Sequence, residues 1–225
     1  MVPSLPGPQG RPRAYLCALP SREGVERARA WAGPRTEAPG WSRIGILLST
    51  PEVGQSSRVL RQLHARGATV GAPAELGALK EWPGPLLVHE PTLATLAAAE
   101  AIATATRLIA LTADAGVLQP WVDAFDPEHL GGQHLPVAAV VLPVALVRRT
   151  MVYFTHHLQS GALVGGRLWE LLLRRLEELY HHEQHFSPED LLALAWQLHW
   201  PPDATWELYR WAHEHLPCAA LHPRP

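Results

Sequence analysis

The chain has 225 residues, a formal net charge of −2 and an apolar content of 47%, enough to bury one full domain with extra helices or two small domains. A charge so near zero argues against a generally polyanion-binding surface. Two cysteines far apart, Cys17 and Cys218, make neither a disulfide framework nor a zinc motif.

The charge is uneven along the chain. Residues 1–80 hold eleven Arg/Lys and five Asp/Glu, and residues 81–225 hold eight and sixteen. The 22 prolines are about twice the usual ~5%. Cysteine usage fits a reducing cytoplasm, and the opening MVPSLPGPQGRPR lacks the apolar core of a signal peptide. The longest apolar run, Leu135–Val147, contains Pro136 and Pro143 and is shorter than the roughly 20 residues a membrane span needs.

In chain order, residues 1–12 read as a loose proline-rich tail. Arg13–Pro20 reads as a short strand and Ser21–Ala32 as a helix with Ser21 as N-cap. Arg43–Leu48 (RIGILL) is an apolar strand. Ser49–Gln55 is a loop, and Ser56–Arg66 is a helix with Val59, Leu60 and Leu63 on one face. Gly67 ends it and Ala68–Gly71 begins another strand. Pro85–His89 is a strand, Thr92–Ala105 an alanine-faced helix, Leu108–Thr112 a strand, Val117–Phe125 a short helix and Val137–Leu142 a last β-branched strand. Short apolar strands alternating with helices predict an α/β fold, a parallel doubly wound, Rossmann-like sheet over residues 13–147.

Beyond Arg148 a C-terminal helical extension, residues 148–225, is expected to pack on the domain or on a dimer mate. Its helices are Thr150–Gln159, Arg167–Tyr180, Ser187–Trp200 and Asp203–Leu216, the last capped by Asp203. Arg167–Tyr180 places Leu168, Leu171, Leu172, Leu176 and Leu179 on one face. Trp196, Trp200, Trp206 and Trp211 are expected at a homodimer interface, where aromatics are enriched. The last two helices can be read as a helix-turn-helix, but residues 187–216 carry five acids and one arginine, the wrong balance for neutralising phosphates.

The run TLATLAAAEAIATATRLIALTADAGVL (residues 92–118), together with Gly131-Gly132-Gln133-His134-Leu135-Pro136 and the RRLEELY helix, resembles sugar isomerase (SIS) domains, and most of all the first half of the bifunctional phosphoglucose/phosphomannose isomerases. The resemblance implies an SIS-type five-strand parallel sheet, binding of a small phosphorylated sugar, aldose–ketose isomerisation where catalysis survives, and a homodimer. It implies substrate-binding residues in two loops: Ser49, Ser56 and Ser57 in the first, His89, Thr92 and Thr95 in the second. Phosphate recognition uses backbone N–H groups, hydroxyls and helix N-termini. Pro51 and Pro91 remove N–H groups there, while Glu52 and Glu90 add negative charge. The family's acid/base Glu and His have no matching positions here, so catalytic residues are left unassigned. Ser56, Ser57 and Thr92 serve equally as helix N-caps.

Other clusters have plain readings. His181 and His185 share a helical spacing suited to metal but lack a third ligand, and histidine at a helix C-terminus is favourable by itself; no metal and no cofactor are expected. Asp114 follows a strand, as catalytic carboxylates often do, or caps the next helix. The alternative function is a non-catalytic interaction scaffold using the Trp-rich helices. A nucleic-acid regulator using the basic first third ranks behind both.

Overall fold

The computed structural model describes residues 10–19, 21–33, 40–52, 57–137, 145–159, 164–182 and 186–216. Two compact units emerge: Met1–Val122 with Asp126–Val137, and Asp123–Phe125 with Ala138–Pro225. No helix among the described residues is long and apolar enough to cross a membrane.

The first unit is built on a six-stranded, all-parallel sheet. Its strands are β1 (Arg13–Cys17), β2 (Gly45–Leu48), β3 (Thr69–Gly71), β4 (Pro85–His89), β5 (Arg107–Thr112) and β6 (Glu128–Gly132), in the order β3-β2-β4-β5-β1-β6. Its helices are α1 (Arg22–Ala32), α2 (Arg58–Ala65), α3 (Leu93–Ala101) and α4 (Ala115–Phe125). Every side chain of β1 and β2 is buried, as expected of parallel strands covered on both faces. Ala14, Leu16, Ile46, Leu48, Leu87, Ile109 and Leu111 form one face with Val25 and Ala28 of α1 and Leu60 and Leu63 of α2. The α3 crossover runs across the sheet in the opposite sense to those of α1 and α2. Right-handed connection therefore places α3 on the other face.

The caps agree with the sequence. Ser21, Ser57 and Thr92 accept from the backbone N–H groups of Gly24, Leu60 and Thr95, and Asp114 accepts from Gly116 and Val117. Helix α3 stops at Ala101, four residues before the expected Ala105. Arg11 explains the stop: its guanidinium takes the carbonyls of Glu100, Ile102 and Ala105 at 3.2, 2.8 and 3.4 Å. The sixth strand was not expected. Glu128–Gly132 (EHLGG) has no β-branched residue, but it is an edge strand, half covered, and pairs with β1 across a register shift. In the expected strand Val137–Leu142, residues 138–142 lie outside the described residues; Val137 is exposed and outside any strand.

At the amino end of β1, Glu100 of α3 is buried among cations. Arg11 reaches Glu100 Oε2 at 2.6 Å, and Arg13 reaches Oε1 at 2.8 Å and Oε2 at 3.0 Å. The indole of Trp121 on α4 donates to Oε1 at 2.8 Å. Burial alone would push this carboxyl up. The hydrogen bond and charge of Arg13, the charge of Arg11 and the Trp121 bond outweigh it and hold the group below its ordinary value.

The second unit contains α5 (Ala145–Gln159), α6 (Arg167–His181), α7 (Pro188–Gln197) and α8 (Pro202–His215). Its core joins Val147, Met151 and Phe154 of α5, Trp169, Leu172, Leu176 and Leu179 of α6, Leu191 and Leu194 of α7, and Leu208 and Ala212 of α8. Trp200 donates from its indole to the Thr155 hydroxyl at 2.8 Å, and Thr155 donates to the Met151 carbonyl at 2.8 Å. Three expectations are corrected here. Trp196 and Trp200 are buried in this unit rather than displayed, with Trp206 and Trp211 half-buried. On α6, Trp169 takes the inward position while Leu168 and Leu171 are exposed, because a true 3.6-residue repeat turns those two leucines off the buried stripe. Helix α8 starts at Pro202 behind Pro201 with no side-chain cap, so Asp203 lies inside its first turn.

Substituting Glu100→Gln removes the buried negative charge that faces the Arg11 and Arg13 guanidiniums and is expected to cost about 3–5 kcal/mol in urea unfolding at pH 7. The folded Glu100 carboxyl sits below its unfolded value of 4.5. Its contribution is therefore complete above pH 4.5 and is lost as pH falls through the folded value. The same substitution should flatten the acid limb of the stability curve; an unchanged acid limb would refute this role.

Candidate functional site

The carboxyl edge of the sheet is where the loops converge. Strands β2 and β4 are neighbours, with Leu48 opposite His89. The chain leaves β2 toward β3 on one side and leaves β4 toward β5 on the other. Such a reversal opens a crevice at the strand ends, the usual ligand position in open α/β sheets. The first loop starts at Ser49 and ends at Ser57, and the second runs from Glu90 to Thr92. Sequence reasoning thus placed both candidate loops at one edge. Ser49 and Ser57 are half-exposed and Thr92 is exposed, whereas Thr95 is fully buried. Ser56 lies outside the described residues, as do His185 and Cys218.

The hydroxyls are already engaged in capping. Thr92 and Thr95 form a reciprocal capping box, with their hydroxyls 2.9 Å apart. Ser57 accepts from Leu60 N–H at 3.3 Å. Capping and ligand binding are compatible for Ser57 and Thr92, because a cap leaves the other N–H groups of the first turn free.

His89 is the unusual member. It ends β4 with its ring on the face covered by α1 and α2, since side chains alternate along a strand and Leu87 lies on that face. Its register neighbours there are Leu48 and Leu111. The residue is 3% exposed, and neither ring nitrogen has a hydrogen-bond partner among the described residues. Burial lowers its pKa to about 4; its own main-chain carbonyl opposes the shift without meeting hydrogen-bond geometry. The imidazole is therefore neutral at pH 7, with one N–H and one lone pair unused.

Next to it the backbone turns sharply. Glu90 has φ = +47°, a conformation rare for a non-glycine residue. Its N–H donates to the Leu111 carbonyl at 2.8 Å, and its carboxylate accepts from the Thr112 hydroxyl at 3.1 Å. Thr112 in turn accepts from Asp114 N–H at 3.1 Å. Thr112 pairs in register with Cys17 at the end of β1. Burial raises the Cys17 thiol, and the charge of Asp114 raises it further. On the other side of that strand, Gly132 at φ = +80° sits so close to the Cys17 carbonyl that a Cβ would collide with it. In the first loop, the Thr50 hydroxyl and then Glu52's own backbone N–H hold the exposed Glu52 carboxyl down. The edge therefore carries Glu52, Glu90 and Asp114 as acids, a neutral histidine, and the N-terminal ends of four helices.

Sequence reasoning missed Thr112, whose link to Glu90 depends on strand order, and Glu90 as a structured member of the site. A glutamate directly before Pro91 was the available signal. Among the described residues no group of three His, Cys, Asp or Glu is placed to hold a metal ion. No protein-family model matches this chain, and no curated protein and no solved structure matches it significantly.

The His89 shift gives a direct measurement. Its folded pKa of about 4 lies below the ordinary 6.5, so its contribution to stability is complete above pH 6.5 and is lost as pH falls toward 4. The integrated loss is on the order of 3 kcal/mol. His89→Phe should remove that part of the pH dependence, and the wild-type His89 ring signal in NMR should stay neutral to pH 5. A ring titrating near 6.5 would refute the burial argument.

Proposed function

We propose that the chain is an SIS-like protein that binds a small phosphorylated sugar at the β2/β4 switch point. The observation that carries this reading is the convergence of the two loops around His89, a buried imidazole with both nitrogens unpartnered beside the N-termini of α2 and α3. The anion would sit on the amides that start α2 and α3 near Ser57 and Thr92, supported by the helix dipoles. Sugar hydroxyls match the remaining groups: Ser49 and the His89 nitrogens can both donate to and accept from a polyol, and the Glu90 carboxylate accepts from one. The nearby carboxylates oppose the phosphate charge, so affinity is expected in the millimolar range and is sensitive to salt.

A second reading has its own support. Leu146, Val152 and Tyr153 of α5 and Leu168 and Leu171 of α6 are exposed, Tyr153 at 60%. They face away from the helical unit's own core, and such patches mark interaction surfaces. In that reading the docking residues are these five, and not the tryptophans.

The test uses Ser57→Asp. Aspartate caps a helix as well as serine, so the fold should keep its wild-type Tm while a carboxylate occupies the anion position. Glucose-6-phosphate, mannose-6-phosphate or fructose-6-phosphate at about 10 mM should raise the wild-type Tm by about 2 °C and leave S57D unmoved. Equal shifts in both proteins, or none in the wild type, would reject the reading.

A further inference from the structure

The opposite edge of the same sheet carries a second feature with different chemistry. A cavity of about 590 Å³ opens at the amino ends of β2, β4 and β5, lined by Arg43, Trp82, Gly84, Thr106 and Arg107 among others. That volume lies within the range of small-molecule sites, roughly 300–1,000 Å³. Its described lining residues include no carboxylate.

Its cationic wall is held in place. Arg107 donates to the Trp31 carbonyl at 3.0 Å, and its guanidinium lies 5.1 Å from the Trp31 ring centre. That bond engages one nitrogen of the fork and leaves other donors of the five-donor group available. Arg43 is exposed and makes no ion pair among the described residues. The aromatic wall is also fixed: the Trp82 indole donates to the Pro85 carbonyl at 2.9 Å. Gly84 lets these parts close up, since a Cβ there would lie 2.7 Å from the Arg43 carbonyl oxygen and 3.0 Å from Trp82 Nε1. The result is a space lined by two arginines, a tryptophan and the proline-flanked turn Pro83-Gly84-Pro85, and much larger than an inorganic anion.

We propose that this cavity binds a small organic anion, a phosphate or carboxylate carried on a flat apolar body. The charge would be taken by the Arg43 and Arg107 guanidiniums, which suit planar, bidentate recognition of such groups. The apolar body would lie along Trp82. This site is separate from the carboxyl-edge crevice, so the two ligands bind independently.

The experiment is calorimetric titration of the full chain at low salt with phenyl phosphate, with inorganic phosphate and phenol as controls. Phenyl phosphate is expected to bind, and each control to bind at least about tenfold more weakly, because each lacks one of the two recognised parts. Arg43→Gln, at an exposed position, and Arg107→Gln should each weaken phenyl phosphate by about tenfold. Thr106→Asp keeps both arginines and should abolish binding by placing a carboxylate in the cavity. None of the three should alter the Tm shift given by sugar phosphates. Absence of binding to the folded wild type, binding unchanged in R43Q and T106D, or inorganic phosphate binding as tightly as phenyl phosphate would each overturn the proposal.

Discussion

A single buried carboxylate organises the first unit. Glu100 ends α3, yet its oxygens are divided among Arg11 and Arg13 at the start of β1 and Trp121 on α4. Strand β1 is first in the chain but lies between β5 and β6, so it must find its slot after some ninety residues of intervening chain. The contacts of Glu100 with residues 87 and 89 positions away close that loop. Generic apolar burial would reward several registers of β1 against β5. A carboxylate that must meet two guanidiniums and an indole rewards one. Buried ion pairs of this kind add little net stability over apolar packing but leave a heavy cost when mispaired. The cluster is thus better understood as fixing register than as adding stability. The carboxyl edge inherits that register: Cys17 pairs with Thr112, and Thr112 holds Glu90.

The two edges of the sheet are opposite in character. At the carboxyl edge Glu52, Glu90 and Asp114 bring negative charge and the histidine is neutral; positive potential comes from the helix N-termini and from Arg22 and Arg58, which open α1 and α2. At the amino edge Arg43 and Arg107 line a cavity whose described lining residues include no carboxylate. An anion at the first edge would be held by oriented amides in competition with acids. One at the second would be held by formal cations.

Much of this was legible in the sequence, and the gaps have causes. The spacing places β4 to the residue and Ser21 as a cap, and offers capping as one of two readings of Ser57, Thr92 and Asp114, because strand alternation and N-cap chemistry act within a few residues. Strand β6 was invisible because EHLGG derives its strand conformation from pairing with β1, not from its own side chains. The end of α3 was misplaced because what stops it is Arg11, a residue distant in sequence. Leu168 and Leu171 were assigned to the buried stripe of α6 because a leucine-rich helix offers more apolar positions than one face can cover, and only packing selects among them. The loops of the crevice were found from strand-end position, while the Thr112–Glu90 link required knowing which strands are neighbours.

His89 is the point at which folding and function pull apart. Two unpartnered ring nitrogens in a buried position cost on the order of 1–3 kcal/mol each. The neighbours Leu48 and Leu111 would accept an apolar side chain, and β4 would gain by it. A structural role alone therefore favours leucine or phenylalanine at this position. Buried polar groups without partners are few in folded proteins, and each calls for a specific cause. Its place is specific: the imidazole ends β4 at the switch point, beside the strained Glu90 turn, on the face of the sheet that α1 and α2 cover. A ligand that supplied one acceptor and one donor would satisfy both nitrogens at once and recover the cost that the empty fold bears. On the proposed reading, the stability given up at His89 in folding would be returned on binding.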